Sequence, residues 1–139
     1  MPVVIDASLT LAWCFEDEAN QFSDSVLAHL ETDTAVVPAV WPLEVANALV
    51  MGERRGRLTE AQTSRFVDLL AQLPIDVEPA LPAAIFGAVI SAARGHRLTS
   101  YDASYLELAE RRGVPLATQD DRLREAAITA GVSLMQTGQ

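Results

Sequence analysis

The sequence contains no lysine, and all ten of its basic residues are arginine. Schiff-base chemistry and a P-loop both need an amine, so both are excluded. The single cysteine, Cys14, rules out an internal disulfide, and the two histidines, His29 and His96, form no cluster with zinc-ligand spacing. Positive charge is scarce. Nineteen acidic residues against ten basic ones leave a formal net charge of −9, the wrong sign for a broad phosphate-binding surface. Any contact with nucleic acid must therefore be local. Long apolar runs are missing too: the longest weakly polar stretch, Ala80 to Ala93, carries Pro82 and Gly87 and falls short of the roughly twenty residues a membrane helix requires. No basic segment precedes an apolar stretch at the N-terminus, so no signal peptide is expected. A cytoplasmic location away from membranes is the expectation.

The 139 residues are near the commonest size of one domain, and one domain over 1–139 is expected. With 50% hydrophobic and 21% charged residues, neither a disordered nor a fibrous class fits. Val3, Val4 and Ile5 read as a strand covered on both faces and ending at Asp6. Ser8 is expected to cap a short helix through Phe15, and a second helix is expected from about Glu18 to Glu31. Ala35 to Val37 reads as the second strand. A helix follows around Pro42 and ends at Gly56, and Thr59 with Gln62 forms a capping box for the next.

Ile75 to Val77 reads as a third strand. Helices are then expected from Pro82 to Gly95, Tyr101 to Arg112 and Asp120 to Ala130, with strands at Leu116–Ala117 and Val132–Met135. Strands alternating with helices argue for a parallel sheet between helical layers.

In such a sheet, ligands bind beyond the carboxyl ends of the strands. Asp6 closes the first strand, and Asp120 and Asp121 follow the strand Leu116–Ala117. Either site is also explained as a helix cap. Asp102 shares a helical face with Leu106 and Ala109, which points its carboxylate toward the protein, and Glu44 lies in a first helical turn with Asn47 at i+3. A helix N-terminus welcomes either anion on structural grounds alone. Four acids converging on one sheet edge would repel one another by roughly 4 kcal/mol for each pair about 4 Å apart at an effective dielectric near 20. Such a cluster needs a cation. Hard oxygen donors without thiolate or imidazole suit Mg²⁺ or Mn²⁺, and phosphodiester hydrolysis is the chemistry such ions support.

Four stretches in order carry a family resemblance: Val-Ile-Asp-Ala-Ser at 4–8, Trp-Pro-Leu-Glu-Val-Ala-Asn-Ala-Leu at 41–49, Thr-Ser-Tyr-Asp-Ala-Ser-Tyr-Leu-Glu-Leu-Ala at 99–109 and Pro-Leu-Ala-Thr-Gln-Asp-Asp-Arg-Leu at 115–123. The sequence resembles a PIN domain, and more narrowly the VapC toxin ribonucleases of bacterial toxin–antitoxin pairs. The resemblance implies a three-layer α/β/α fold with a five-stranded parallel sheet in the order 3-2-1-4-5. It assigns Asp6, Glu44, Asp102 and Asp120 as the catalytic, metal-binding quartet, with Ser8, Asn47 and Thr118 in support. Asp121 departs from the family pattern as an alternative fourth acid, and Asp120, two residues after Thr118, is preferred. The resemblance further implies an RNA substrate, a homodimer, and a small antitoxin whose C-terminal segment covers the cleft.

Trp13, Phe15, Trp41, Tyr101 and Tyr105 read as core aromatics rather than base-stacking platforms, and Cys14 and the methionines as packing. The paired arginines read mainly as helix C-terminal charges, with a subset near the cleft available for phosphate. A receiver domain is excluded by the absent lysine. A phosphatase of the haloacid dehalogenase type would need a second Asp where Ser8 stands. The remaining alternative is a catalytically silent PIN-like module that binds RNA or a partner.

Overall fold

Val3–Ile5 (β1), fully buried, forms the centre of the fold in the computed structural model, which describes residues 1–136. Their β-branched side chains suit a strand packed on both faces. Ala35–Val37 (β2) pairs with one edge of β1, and Ile75–Val77 (β3) lies outside β2. Leu116–Ala117 (β4) pairs with the other edge of β1, so the parallel order is β3-β2-β1-β4. The expected fifth strand is reduced to a single parallel bridge between Leu116 and Leu134. β4 is two residues long, and only Leu116 turns both of its backbone groups outward, accepting from Met135 N–H and donating to the Ser133 carbonyl.

Among the described residues, eight α-helical segments flank the sheet. They are Ala7–Ala12 (α1), Gln21–His29 (α2), Val40–Arg54 (α3), Glu60–Gln72 (α4), Pro82–Ala84 (α5), Ile90–His96 (α6), Ser100–Arg112 (α7) and Asp121–Ala130 (α8). A π-turn at Ile85–Val89 joins α5 to α6, so the helix expected from Pro82 is continuous but irregular. The helix expected over 18–31 is split. Glu16–Glu18 makes a short 3₁₀ turn, and Asn20 then starts α2 with a capping box, its side chain accepting from Ser23 N–H while the Ser23 hydroxyl accepts from Asn20 N–H. The Thr59–Gln62 capping box opens α4 as expected. Gly56, with φ of +75°, makes the turn between α3 and α4 that a residue with a Cβ would strain to adopt.

The core gathers β1, β2 and β4 with Leu9, Val26, Trp41, Val45, Leu106, Leu108 and Leu123, and Ile75 of the edge strand β3 packs against it half-buried. Of the aromatics expected inside, Phe15, Trp41 and Tyr105 are buried and Trp13 is half-buried, whereas Tyr101 is 60% exposed. Tyr101 sits in the first turn of α7, and the buried face of that helix runs through Ala103, Tyr105, Leu106 and Ala109. Met1 is likewise exposed. Among the described residues, no helix is long and apolar enough to cross a membrane.

One buried hydroxyl joins three elements. Thr10 on α1 accepts a hydrogen bond from Trp41 Nε1 on α3 at 2.9 Å and donates to the Asp6 carbonyl at 2.9 Å. Replacing Thr10 with valine keeps the shape and leaves the indole N–H without a partner, a loss of about 1–3 kcal/mol. Urea denaturation of Thr10→Val should show a lower midpoint with an unchanged slope; an unchanged midpoint would mean that this bond carries no stability.

Candidate active site

β4 lies on the opposite side of β1 from β2, so the two chain directions part at the carboxyl ends of β1 and β4. Asp6 leaves β1 at this point, and Thr118 and Asp120 leave β4. Asp6, not Ser8, is the N-cap of α1: its carboxylate accepts the Leu9 N–H at 2.9 Å, while Ser8 lies one residue inside the helix. The Ser8 hydroxyl is in hydrogen-bond range of both Asp6 oxygens, at 2.8 and 2.9 Å, and the Thr118 hydroxyl donates to Oδ2. Asp6 is 4% exposed. Burial pushes its pKa up to about 6. The bonds from Thr118, Leu9 and Ser8 oppose that rise, and the charge of Asp120 adds to it.

The other acids arrive from separate helices. Glu44, half-buried on α3, accepts a 2.6 Å hydrogen bond from the Tyr105 hydroxyl of α7. Its pKa is raised by burial and by the charge of Asp102, against the lowering effect of Tyr105. Asp102, half-buried in the first turn of α7, is raised by burial and by the charge of Asp120, while the Thr99 cap opposes the rise. Asp120 is the N-cap of α8, its Oδ1 accepting from Leu123 N–H at 2.9 Å, and its own N–H donates to the Thr118 hydroxyl. Through-space charge effects thus link Glu44 with Asp102, Asp102 with Asp120, and Asp120 with Asp6.

Asp121 is exposed, so of the two neighbouring acids it is Asp120 that takes part in these links. Ser8 and Thr118 both bond Asp6. Asn47 is exposed on α3 and, among the described residues, makes no hydrogen bond to the carboxylates. Tyr105 was expected only as core, yet its hydroxyl reaches Glu44; burial first, then the hydrogen bond to Glu44 and the charges of Glu44 and Asp6, drive its pKa far above the ordinary value. Its spacing of three residues from Asp102 is the signal that could have marked it, because i and i+3 share a helical face.

The donor set consists of carboxylate and hydroxyl oxygens, which suits a hard divalent cation; burial first, and neighbouring negative charge in smaller part, raise the carboxylate pKa values, and a bound cation would offset both. Among the described residues, no three Asp, Glu, His or Cys side chains are already drawn into a closed chelate. Mg²⁺ retains several waters and uses few direct carboxylates, so an open basin still fits it. A separate apolar groove of about 570 Å³, lined by Leu81, Ile85, Tyr101 and Leu108 among others, contains none of the four acids.

The PIN domain family profile matches residues 3–128. A protein named Ribonuclease VapC3 from Mycobacterium tuberculosis is 35% identical over 127 residues, spanning 89% of this chain and 86% of that protein. The crystal structure of PAE2754 from Pyrobaculum aerophilum superposes with a TM-score of 0.69 at 28% identity, covering 91% of this chain and 84% of that one. VapBC2 from Rickettsia felis, solved bound to a DNA fragment from its promoter, shares the fold at a TM-score of 0.63 and 12% identity, covering 97% of this chain and 98% of that one.

Asp6 also sets a pH dependence of stability in the metal-free protein. Its folded pKa of about 6 lies above the ordinary value of 3.8, so the folded state binds its proton more tightly than the unfolded state. That contribution is complete below about pH 3.8, fades as pH rises through 6, and leaves a cost on the order of 3 kcal/mol above it. Asp6→Asn should therefore raise the Tm of the metal-free protein at pH 7.5, with the gain shrinking toward pH 4. A lower Tm at pH 7.5 would contradict the assignment.

Proposed function

The chain belongs to the PIN domain family, and we propose that it is a Mg²⁺- or Mn²⁺-dependent endoribonuclease, the toxin of a VapBC-type toxin–antitoxin pair. The observation that supports the reading is the pairwise coupling of Glu44 with Asp102, of Asp102 with Asp120 and of Asp120 with the buried Asp6, with three of the four carboxylates raised in pKa. The ribonuclease name of a relative that aligns along most of this chain supports it. Asp6, Glu44, Asp102 and Asp120 would hold the cation. When bound, Mg²⁺ or Mn²⁺ lowers the pKa of water and neutralises charge developing on phosphate oxygens.

The chain's own residues prepare that site. Ser8 and Thr118 orient both Asp6 oxygens, fixing the direction in which the carboxylate presents its remaining lone pairs. Tyr105 holds Glu44 by one oxygen and leaves the other available. Asp120 divides its carboxylate, with Oδ1 on the α8 cap and Oδ2 making no hydrogen bond among the described residues.

A small antitoxin that covers the acidic basin and a homodimeric assembly complete the reading. Purified protein should cleave single-stranded RNA with Mg²⁺ or Mn²⁺, stop with EDTA, and lose at least about 100-fold in kcat in Asp6→Asn. Cleavage that survives both EDTA and Asp6→Asn would remove the metal-dependent mechanism. Tyr105→Phe, which frees Glu44 without touching the other acids, should lower kcat by roughly tenfold and shift the acid limb of the pH–rate profile. Co-expression of the adjacent small gene product should abolish toxicity to the host, and light scattering should give twice the chain mass; unrelieved toxicity or a monomer would remove the corresponding partner.

A further inference from the structure

We propose that Arg124 is the phosphate-binding residue that draws the RNA strand across the β4 side of the acidic basin; this rests on the ribonuclease reading above. A chain of net charge −9 must supply local cations to hold a polyanion, and only arginine is available to do so. Arg57, Arg111 and Arg112 are consumed in ion pairs with Asp17 and Glu18, with Glu78 and Glu107, and with Glu78 respectively. Arg124 is half-buried and, among the described residues, forms no salt bridge.

Its position is fixed by the site itself. The Arg124 N–H donates to the Asp120 carbonyl at 2.9 Å, placing the two residues one helical turn apart on α8. Its Nη1 donates to the Thr118 carbonyl at 3.3 Å, and the hydroxyl of the same Thr118 donates to Asp6. Arg124 is therefore one residue removed from the most buried acid of the site.

A guanidinium carries five N–H donors, of which this contact uses one. Beside it opens a groove of about 740 Å³ whose lining includes Thr118, Gln119, Phe22 and Arg124 but none of the four acids; its link to the basin is Thr118, whose hydroxyl bonds Asp6, and Arg124 borders it without an ion-pair partner among the described residues. Asp121 shares that groove and opposes a phosphate there, leaving Arg124 as the group that makes the path favourable. The planar fork matches two phosphate oxygens. Contact with phosphate carries no sequence information, so the effect is the same for every RNA sequence the basin accepts.

The test measures binding of a short fluorescent single-stranded RNA to the Asp6→Asn protein, and steady-state cleavage by the protein with Asp6 intact, each with Arg124→Gln, Arg124→Lys and Arg55→Gln. Arg55 is an exposed arginine at the end of α3, outside the groove, and its substitution removes the same charge. Arg124→Gln should weaken binding about tenfold and reduce the slope of log affinity against log salt by about 0.7, the value of one phosphate contact on a single strand. KM should rise by a similar factor with kcat within about twofold. Arg124→Lys, which keeps the charge and loses the fork, should restore the salt slope but only part of the affinity, and Arg55→Gln should bind like the parent.

Unchanged binding in Arg124→Gln, or an equal loss in Arg55→Gln, would overturn the proposal. So would a fall in kcat with unchanged KM, which would make Arg124 a brace for Thr118 only. Absence of cleavage by the unsubstituted protein would instead remove the ribonuclease reading on which the proposal stands.

Discussion

A carboxylate buried at the end of a central strand constrains everything around it. Asp6 has lost almost all contact with water, and an ionised carboxylate in that state is stable only where protein donors replace the lost hydration. The first turn of α1 supplies the Leu9 N–H and the Ser8 hydroxyl, and the residue after β4 supplies the Thr118 hydroxyl. Meeting these demands fixes the start of α1 and the exit of β4 relative to β1. The replacement is incomplete, as the elevated pKa records, so the pocket retains an unmet demand for positive charge.

The neighbouring contacts serve packing and site geometry together. Thr10 ties α1 to α3 through Trp41, and α3 carries Glu44; Tyr105 ties α3 to α7, and α7 carries Asp102. Asp120 caps α8, where the helix dipole favours an anion, while its charge acts on both Asp6 and Asp102. Both readings of the acids, helix cap and functional carboxylate, therefore hold at once for Asp6 and Asp120. The dipoles of α1 and α8 help to gather negative charge that the four acids alone would disperse.

Much of this was legible along the chain. The β-branched run at Val3–Ile5, the Thr59–Gln62 capping box, the Gly113 stop after α7 and the acids placed after strands all depend on neighbours within about four residues. Expectations failed where two local signals competed. Asn20 with Ser23 is a stronger start than the helix propensity of Glu18, so the helix expected there broke. Asp6 displaced Ser8 as the cap because it stands one position ahead of the first helical residue. The terminal strand shrank to a bridge because β4 offers it one residue.

The sequence by itself determined the alternation of elements, the class of sheet, the four candidate acids and the restriction to oxygen donors and arginine cations. Only the tertiary structure decided that Asp120 and not Asp121 is coupled to the other acids, that Tyr105 is a partner of Glu44, and that Arg124 stands unpaired beside Thr118. The physical reason is range. Periodicity and capping report on residues a turn or two apart, whereas Tyr105 meets Glu44 across 61 residues and Thr118 meets Asp6 across 112, separations closed only when β4 pairs with β1 and α7 packs against the sheet.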